Sequence, residues 1–143
     1  MKILVINGPN LARLDIRDSS IYGDLNYWQL KSHIELSATA HGFEADVRQS
    51  DDEATIIGWL HEAADAKLPV IINPAAFTHY SYAIRDAAEL LTRPLIEVHL
   101  SNPMAREEFR HTSVISGVST GTIAGFGPNS YVLAIIALKG LIA

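Results

Sequence analysis

Three short stretches of the chain, residues 3–6, 70–72 and 95–100, are rich in Ile, Val and Leu and broken by almost nothing polar. A strand with one wet face alternates apolar and polar residues. A continuous apolar run instead fits a strand covered on both sides. Helical spacing recurs between these runs: Tyr27, Leu30, Ile34 and Ala38 in a segment from Leu25 to about His41, stopped by Gly42; Ile56, Leu60, Ala63 and Ala64, closed before Pro69; and Ala83, Ala87 and Leu90, up to a turn at Thr92-Arg93-Pro94. Residues 43–49 alternate through Phe43, Ala45 and Val47 and suit an edge strand. Residues 120–126 read as a strand interrupted by glycine, and residues 131–141 as a last helix.

Strands that alternate with helices imply right-handed crossovers and a parallel sheet with helices on both faces. Five strands fit a single α/β domain over residues 1–143, a flavodoxin-like three-layer sandwich of strand order 2-1-3-4-5. In that order the topological switch falls between the first and third strands. Ligands bind beyond the carboxyl ends of the strands there, which makes the residues at those ends the ones to inspect.

Composition narrows the chemistry. With 48% apolar and 19% charged residues the 143-residue chain is ordinary globular material, and its net charge of −5 disfavours nucleic acid or an anionic membrane as partner. There is no cysteine, so disulfides, thiolate metal sites and Cys nucleophiles are excluded. The longest apolar run, residues 131–138, is far short of the ~18 residues of a membrane span. The N-terminus enters a strand directly, without signal-peptide architecture, and a cytoplasmic protein is expected. Lys2, Lys31, Lys67 and Lys139 lie on helices or at the opening of the first strand, so a Schiff-base lysine at a strand end is not expected. The histidines lack metal-ligand spacing, and no metal is expected. His33, His41 and His61 read as surface residues, Trp28 and Trp59 as core or interface. The glycines 121, 125 and 127 suggest tight packing where the fifth strand meets the last helix.

The polar residues converge on the expected crevice. Asn7, Gly8, Pro9 and Asn10 follow the first strand and open a loop to Gly23 that carries Arg13, Arg17 and Tyr22. Asn73, Thr78, His79 and Tyr80 follow the third strand, and Ser101 and Asn102 the fourth. The fourth strand itself contains Glu97 and His99, two residues apart and so on one face. Glu97 can hold one ring nitrogen of His99 and fix its tautomer; the alternative is a buried pair that merely satisfies itself. Arg17 and Tyr22 form the second constellation. A free tyrosine ionises near pH 10, so one acting as a base near neutrality needs roughly 4 kcal/mol of help. One cation supplies ~1–3 pK units, and a second would be useful. Without that help the pair is an amphipathic loop tyrosine beside a solvated arginine.

In order along the chain, Asn7-Gly8-Pro9-Asn10-Leu11, Arg17, Tyr22-Gly23, the stretch from Asn73 to Ser81, Ala83-Ile84-Arg85-Asp86-Ala87, Glu97-Val98-His99-Leu100-Ser101-Asn102 and Ala105-Arg106-Glu107-Glu108-Phe109-Arg110 strongly resemble the type II 3-dehydroquinate dehydratases. The likeness runs from residue 3 to about 138. It implies a cofactor-free lyase of the shikimate pathway that dehydrates 3-dehydroquinate to 3-dehydroshikimate by anti elimination through an enolate. It implies Tyr22 as the proton acceptor, Arg17 (with Arg13) beside it, Asn10 stabilising the enolate through a water, and His99 as the proton donor oriented by Glu97. Asn73, His79, Leu100, Ser101 and Arg110 would hold the substrate. The resemblance also implies a dodecamer of four trimers, with Asp86 reaching the site of a neighbouring subunit. Two places depart from the family pattern: Leu14-Asp15 stands for Leu-Gly, and Arg17-Asp18-Ser19 for Arg-Glu-Pro. Two non-enzymatic alternatives share the fold. A phosphoacceptor receiver needs Asp where Asn73 stands, and a flavin-binding module would be coloured.

Overall fold

The computed structural model describes residues 1–22 and 24–142. Five parallel strands, β1 (Lys2–Asn7), β2 (Glu44–Gln49), β3 (Val70–Asn73), β4 (Leu95–His99) and β5 (Gly121–Ala124), form one sheet in the order β2-β1-β3-β4-β5. The switch point lies between β1 and β3, where Asn7 and Asn73 are register partners at the carboxyl ends. The expected flavodoxin-like order is the observed one.

Helices α2 (Tyr27–Ala40), α3 (Glu53–Ala66), α4 (Tyr82–Ala88) and α5 (Asn129–Ile142) cover the sheet. Side chains alternate along a strand, so each central strand feeds two cores. Ile3, Val5, Ile71, Ile96 and Val98 pack with Leu30, Ile34 and Ala38 of α2 and Tyr131, Ala134, Ile135 and Leu138 of α5. Leu4, Ile6, Val70, Ile72 and Leu95 pack with Ile56, Leu60 and Ala63 of α3 and Ile84 and Ala87 of α4. The helix starts are locally encoded. Asn26 and Gln29 form a reciprocal capping box on α2, Asp52 caps α3 and Ser81 caps α4.

Several sequence expectations change. The segment after Gly8 is not an open loop: residues Leu11–Ile16 form a 3-10 turn whose Leu11 and Leu14 are buried, and Ser19–Tyr22 form a short helix, α1. Gly23, the expected end of that loop, lies outside the described residues. Leu90 is exposed because α4 ends at Ala88, and Leu91 packs on the core in its place. Trp28 is 71% exposed and so is no core residue, whereas Trp59 packs against the core. The glycines near β5 serve the turn into α5 rather than helix packing. Gly125 sits at φ +97° with its missing Cβ only 3.3 Å from Asn102 Cβ, while Gly121 has open space around it. α5 buries one apolar face and leaves Leu133, Ile136 and Leu141 substantially exposed. Among the described residues no helix is long and apolar enough to cross a membrane.

Candidate active site

The chain leaves β1 through a tight turn. Asn10 adopts a left-handed conformation, φ 71°, which asparagine tolerates better than most residues. Its backbone N–H donates to Asp51 Oδ1 at 2.9 Å, and Gln49 Nε2 donates to both Asp51 Oδ1 and the Gly8 carbonyl. Asp51 and Gln49, at the end of β2, thus hold the turn that presents Asn10. Further on, Asp18 accepts the Ser20 N–H and hydroxyl at 2.9 and 2.7 Å, and its carbonyl accepts the Tyr22 N–H. This departure from the family pattern therefore starts the helical turn that carries Tyr22. Those Ser20 bonds hold the Asp18 carboxyl below its usual range.

Tyr22 and Arg17 meet as the sequence suggested. Arg17 Nη2 donates to the Tyr22 hydroxyl, and its guanidinium carbon lies 3.6 Å from the ring centroid. The second cation is not Arg13, which points outward and pairs with Asp15 at 3.1 Å. It is Arg106, whose guanidinium lies 5.0 Å from the Tyr22 ring and bonds Ser101 Oγ at 3.3 Å. Burial lowers the pKa of Arg17, the positive charges of Arg106 and Arg110 lower it further, and Tyr22 opposes them. Two guanidinium groups, those of Arg17 and Arg106, therefore stand against one phenol ring.

On β4, Glu97 is fully buried and His99 nearly so. His99 Nε2 lies 2.5 Å from Glu97 Oε2, which makes Nε2 the protonated nitrogen and leaves Nδ1 as the one not committed to Glu97. Three hydroxyls complete the carboxylate's shell: Thr78 at 3.0 Å, Ser113 at 2.9 Å and Ser116 at 2.7 Å. Burial alone pushes the Glu97 carboxyl up. The His99 bond and charge, with Ser116 and Ser113, outweigh burial and hold the group below its ordinary value. Glu97 is a satisfied carboxylate that orients an imidazole.

At the end of β3, Asn73 Oδ1 accepts the Ala75 N–H at 3.1 Å and Nδ2 donates to the Tyr131 hydroxyl at 2.9 Å. His79 Nδ1 lies 2.8 Å from the Thr112 carbonyl. A carbonyl only accepts, so Nδ1 carries the proton. Burial lowers the His79 pKa, with the Thr112 bond opposing, so near neutrality the ring is uncharged and Nε2 is an acceptor suited to a hydroxyl.

One cleft at the carboxyl end of the sheet brings these groups together. Asn10, Arg17, Tyr22, Asn73, His79, His99, Leu100, Ser101, Arg106 and Arg110 all line it. Glu97 stands behind His99. Asp86 does not line this cleft; it is exposed on α4. Sequence reasoning assigned no role to Arg106, Asp51, Gln49, Ser113 or Ser116. Arg106 was within reach, because it lies in the same quoted motif as Arg110.

An arginine-backed tyrosine and a carboxylate-backed histidine at the switch point of a doubly wound sheet are an arrangement capable of acid–base chemistry on a small anionic molecule. Residues 1–139 match the family model for Dehydroquinase class II, and the chain belongs to that family. It is 54% identical over 135 residues to the 3-dehydroquinate dehydratase of Mycobacteroides abscessus, covering 94% of each chain. The 3-dehydroquinate dehydratase of Caldicellulosiruptor bescii is 51% identical over 142 residues, covering 99% of this chain and 98% of that one. The crystal structure of type II dehydroquinase from Propionibacterium acnes superposes with a TM-score of 0.95 at 50% identity, covering 97% of this chain and 96% of that chain.

Proposed function

We propose that this chain is a lyase that dehydrates 3-dehydroquinate to 3-dehydroshikimate, the shikimate-pathway step, by acid–base chemistry on its own side chains. Tyr22, as phenolate beside Arg17 and Arg106, takes the C2 proton and leaves an enolate, which Asn10 stabilises through a held water. His99, aligned by Glu97, gives a proton to the C1 hydroxyl as it departs as water. Tyr22 ends protonated and His99 neutral, and one proton exchanged with solvent restores both. Asn73, His79, Leu100, Ser101 and Arg110 hold the substrate's hydroxyls and carboxylate. The working unit in the cytoplasm is a dodecamer of four trimers, in which Asp86 enters a neighbouring site. Exposed Leu133 and Ile136 on α5 support an assembled form, since a monomer gains nothing by leaving them wet.

The observation that carries the reading is the arrival of two prepared pairs, Arg17–Tyr22 and Glu97–His99, at one cleft from two separate segments. The test is an ultraviolet assay with 3-dehydroquinate in EDTA, because the product is a conjugated enone and the substrate is not. Absorbance should rise promptly with the wild-type chain. Tyr22→Phe should fold normally and lose nearly all turnover, and His99→Ala should lose at least ~10²-fold. No rise from folded wild-type protein would overturn the assignment, and near-normal kcat in Tyr22→Phe would overturn the base.

A further inference from the structure

The last helix reaches back to the switch point through a single buried hydroxyl. Tyr131, in the first turns of α5, is fully buried and does not line the cleft. Its hydroxyl donates to Asn7 Oδ1 at 2.6 Å and accepts from Asn73 Nδ2 at 2.9 Å. Asn7 and Asn73 are the register partners that end β1 and β3, so one oxygen braces both strands where the site begins.

The directions of these bonds are forced. Asn73 Oδ1 faces the Ala75 N–H, which can only donate, so Nδ2 is the end turned to Tyr131. Having accepted from Asn73, the phenol has its own proton for Asn7, whose Oδ1 can only accept. The burial that closes this network also pushes the Tyr131 pKa up, so the hydroxyl keeps its proton throughout the working range. Asn73 Nδ2 has two N–H groups. With one committed to Tyr131 and Oδ1 committed to Ala75, the amide plane of a residue that lines the cleft is fixed at both ends. Without the phenol oxygen, only the Ala75 bond would restrain the amide, and the group could turn about it.

We infer that Tyr131 is a positioning residue for substrate binding, acting through Asn73 without touching substrate. The inference rests on reading Asn73 as a substrate contact. The network does not touch Tyr22 or His99, so its loss should act on substrate hold more than on the chemical step.

The test is steady-state kinetics with 3-dehydroquinate on wild type, Tyr131→Phe, Asn73→Ala and the double variant. Tyr131→Phe should raise KM by about three- to tenfold, the scale of one hydrogen bond, with kcat within about twofold and its pH profile unmoved. The double variant should be no worse than Asn73→Ala alone, because the phenol has nothing left to position. A merely structural hydroxyl would lower the melting temperature and leave KM alone. Wild-type KM in Tyr131→Phe, or effects that multiply in full in the double variant, would overturn the inference. Should Tyr131→Phe be unfolded at the assay temperature, the same kinetics at a lower temperature, where circular dichroism shows it folded, carry the test, and wild-type KM there overturns the inference equally. Wild-type protein without turnover would mark failure of the functional reading itself, and normal KM in Asn73→Ala would mark failure of Asn73 as a contact.

Discussion

At the scale of single residues, the site depends on charges held in a poorly solvated place. The sequence offered Arg13 as the second cation beside Tyr22, but it is Arg106 that stands over the phenol, while Arg13 is spent on an exposed pair with Asp15. Arg106→Ala should lower kcat/KM on the order of tenfold or more, whereas Arg13→Ala should stay within about twofold of wild type, as exposed ion pairs contribute little. Equal losses in the two variants would refute the assignment of the second cation. Glu97 makes a prediction about acid. Its folded pKa is depressed, so its contribution to stability is complete above the unfolded value of about 4.3 and is lost as pH falls through the lower folded value. In urea unfolding from pH 7 to pH 3, the stability advantage of wild type over Glu97→Gln should shrink as the pH drops through that window. A gap that stays constant would mean the depressed carboxylate adds no pH-dependent stability. The pair Glu97 and His99 was legible from the sequence because a polar residue inside an apolar strand stands out. Ser113 and Ser116 were not, since serines in a loop carry no such contrast.

Elements explain where the residues meet. The turns after β1 and β3 are packed against each other at Gly8, where an added Cβ would lie 2.6 Å from the Pro74 carbonyl oxygen and 2.8 Å from its carbon. Both neighbours are backbone, so neither turn can give without moving Asn10 or Asn73. Gly8→Ala should cost about 1–3 kcal/mol in stability and reduce turnover as well. Thermal melts with the enone assay check both, and a variant with normal activity would show the turns to be free of each other. The strands, helices α2 to α5 and their order were readable because each is written in local apolar periodicity and in stops such as Gly42 and Pro69. The short helix α1 was not. Its start rests on Asp18 bonding Ser20 and Tyr22, and the turn before it rests on Leu11 and Leu14 finding the core. Four residues with no helical stripe look like loop until their tertiary contacts are known.

At the scale of the whole molecule, the exposed apolar side chains of α5 and the exposed Asp86 of α4 lie outside the cleft and outside both cores. If Asp86 enters a neighbouring site, inactive Tyr22→Phe subunits and inactive Asp86→Ala subunits should recover activity when unfolded together and refolded as mixed assemblies. Light scattering should then report about twelve times the 15.6 kDa chain mass. No recovery from mixed assemblies of that size would confine each site to one chain. Along the sequence itself, continuous apolar runs and helical spacing determined a doubly wound parallel sheet and its switch point, because burial on both faces leaves a local pattern. The polar residues at the strand ends then marked the site. Only the tertiary structure decided that Arg106 rather than Arg13 joins Arg17, that Asp51 pins the Asn10 turn, and that Tyr131 braces Asn7 to Asn73 across separations of up to 124 residues. Those partners are chosen by where the folded chain brings a donor to an acceptor, a relation that no local spacing encodes.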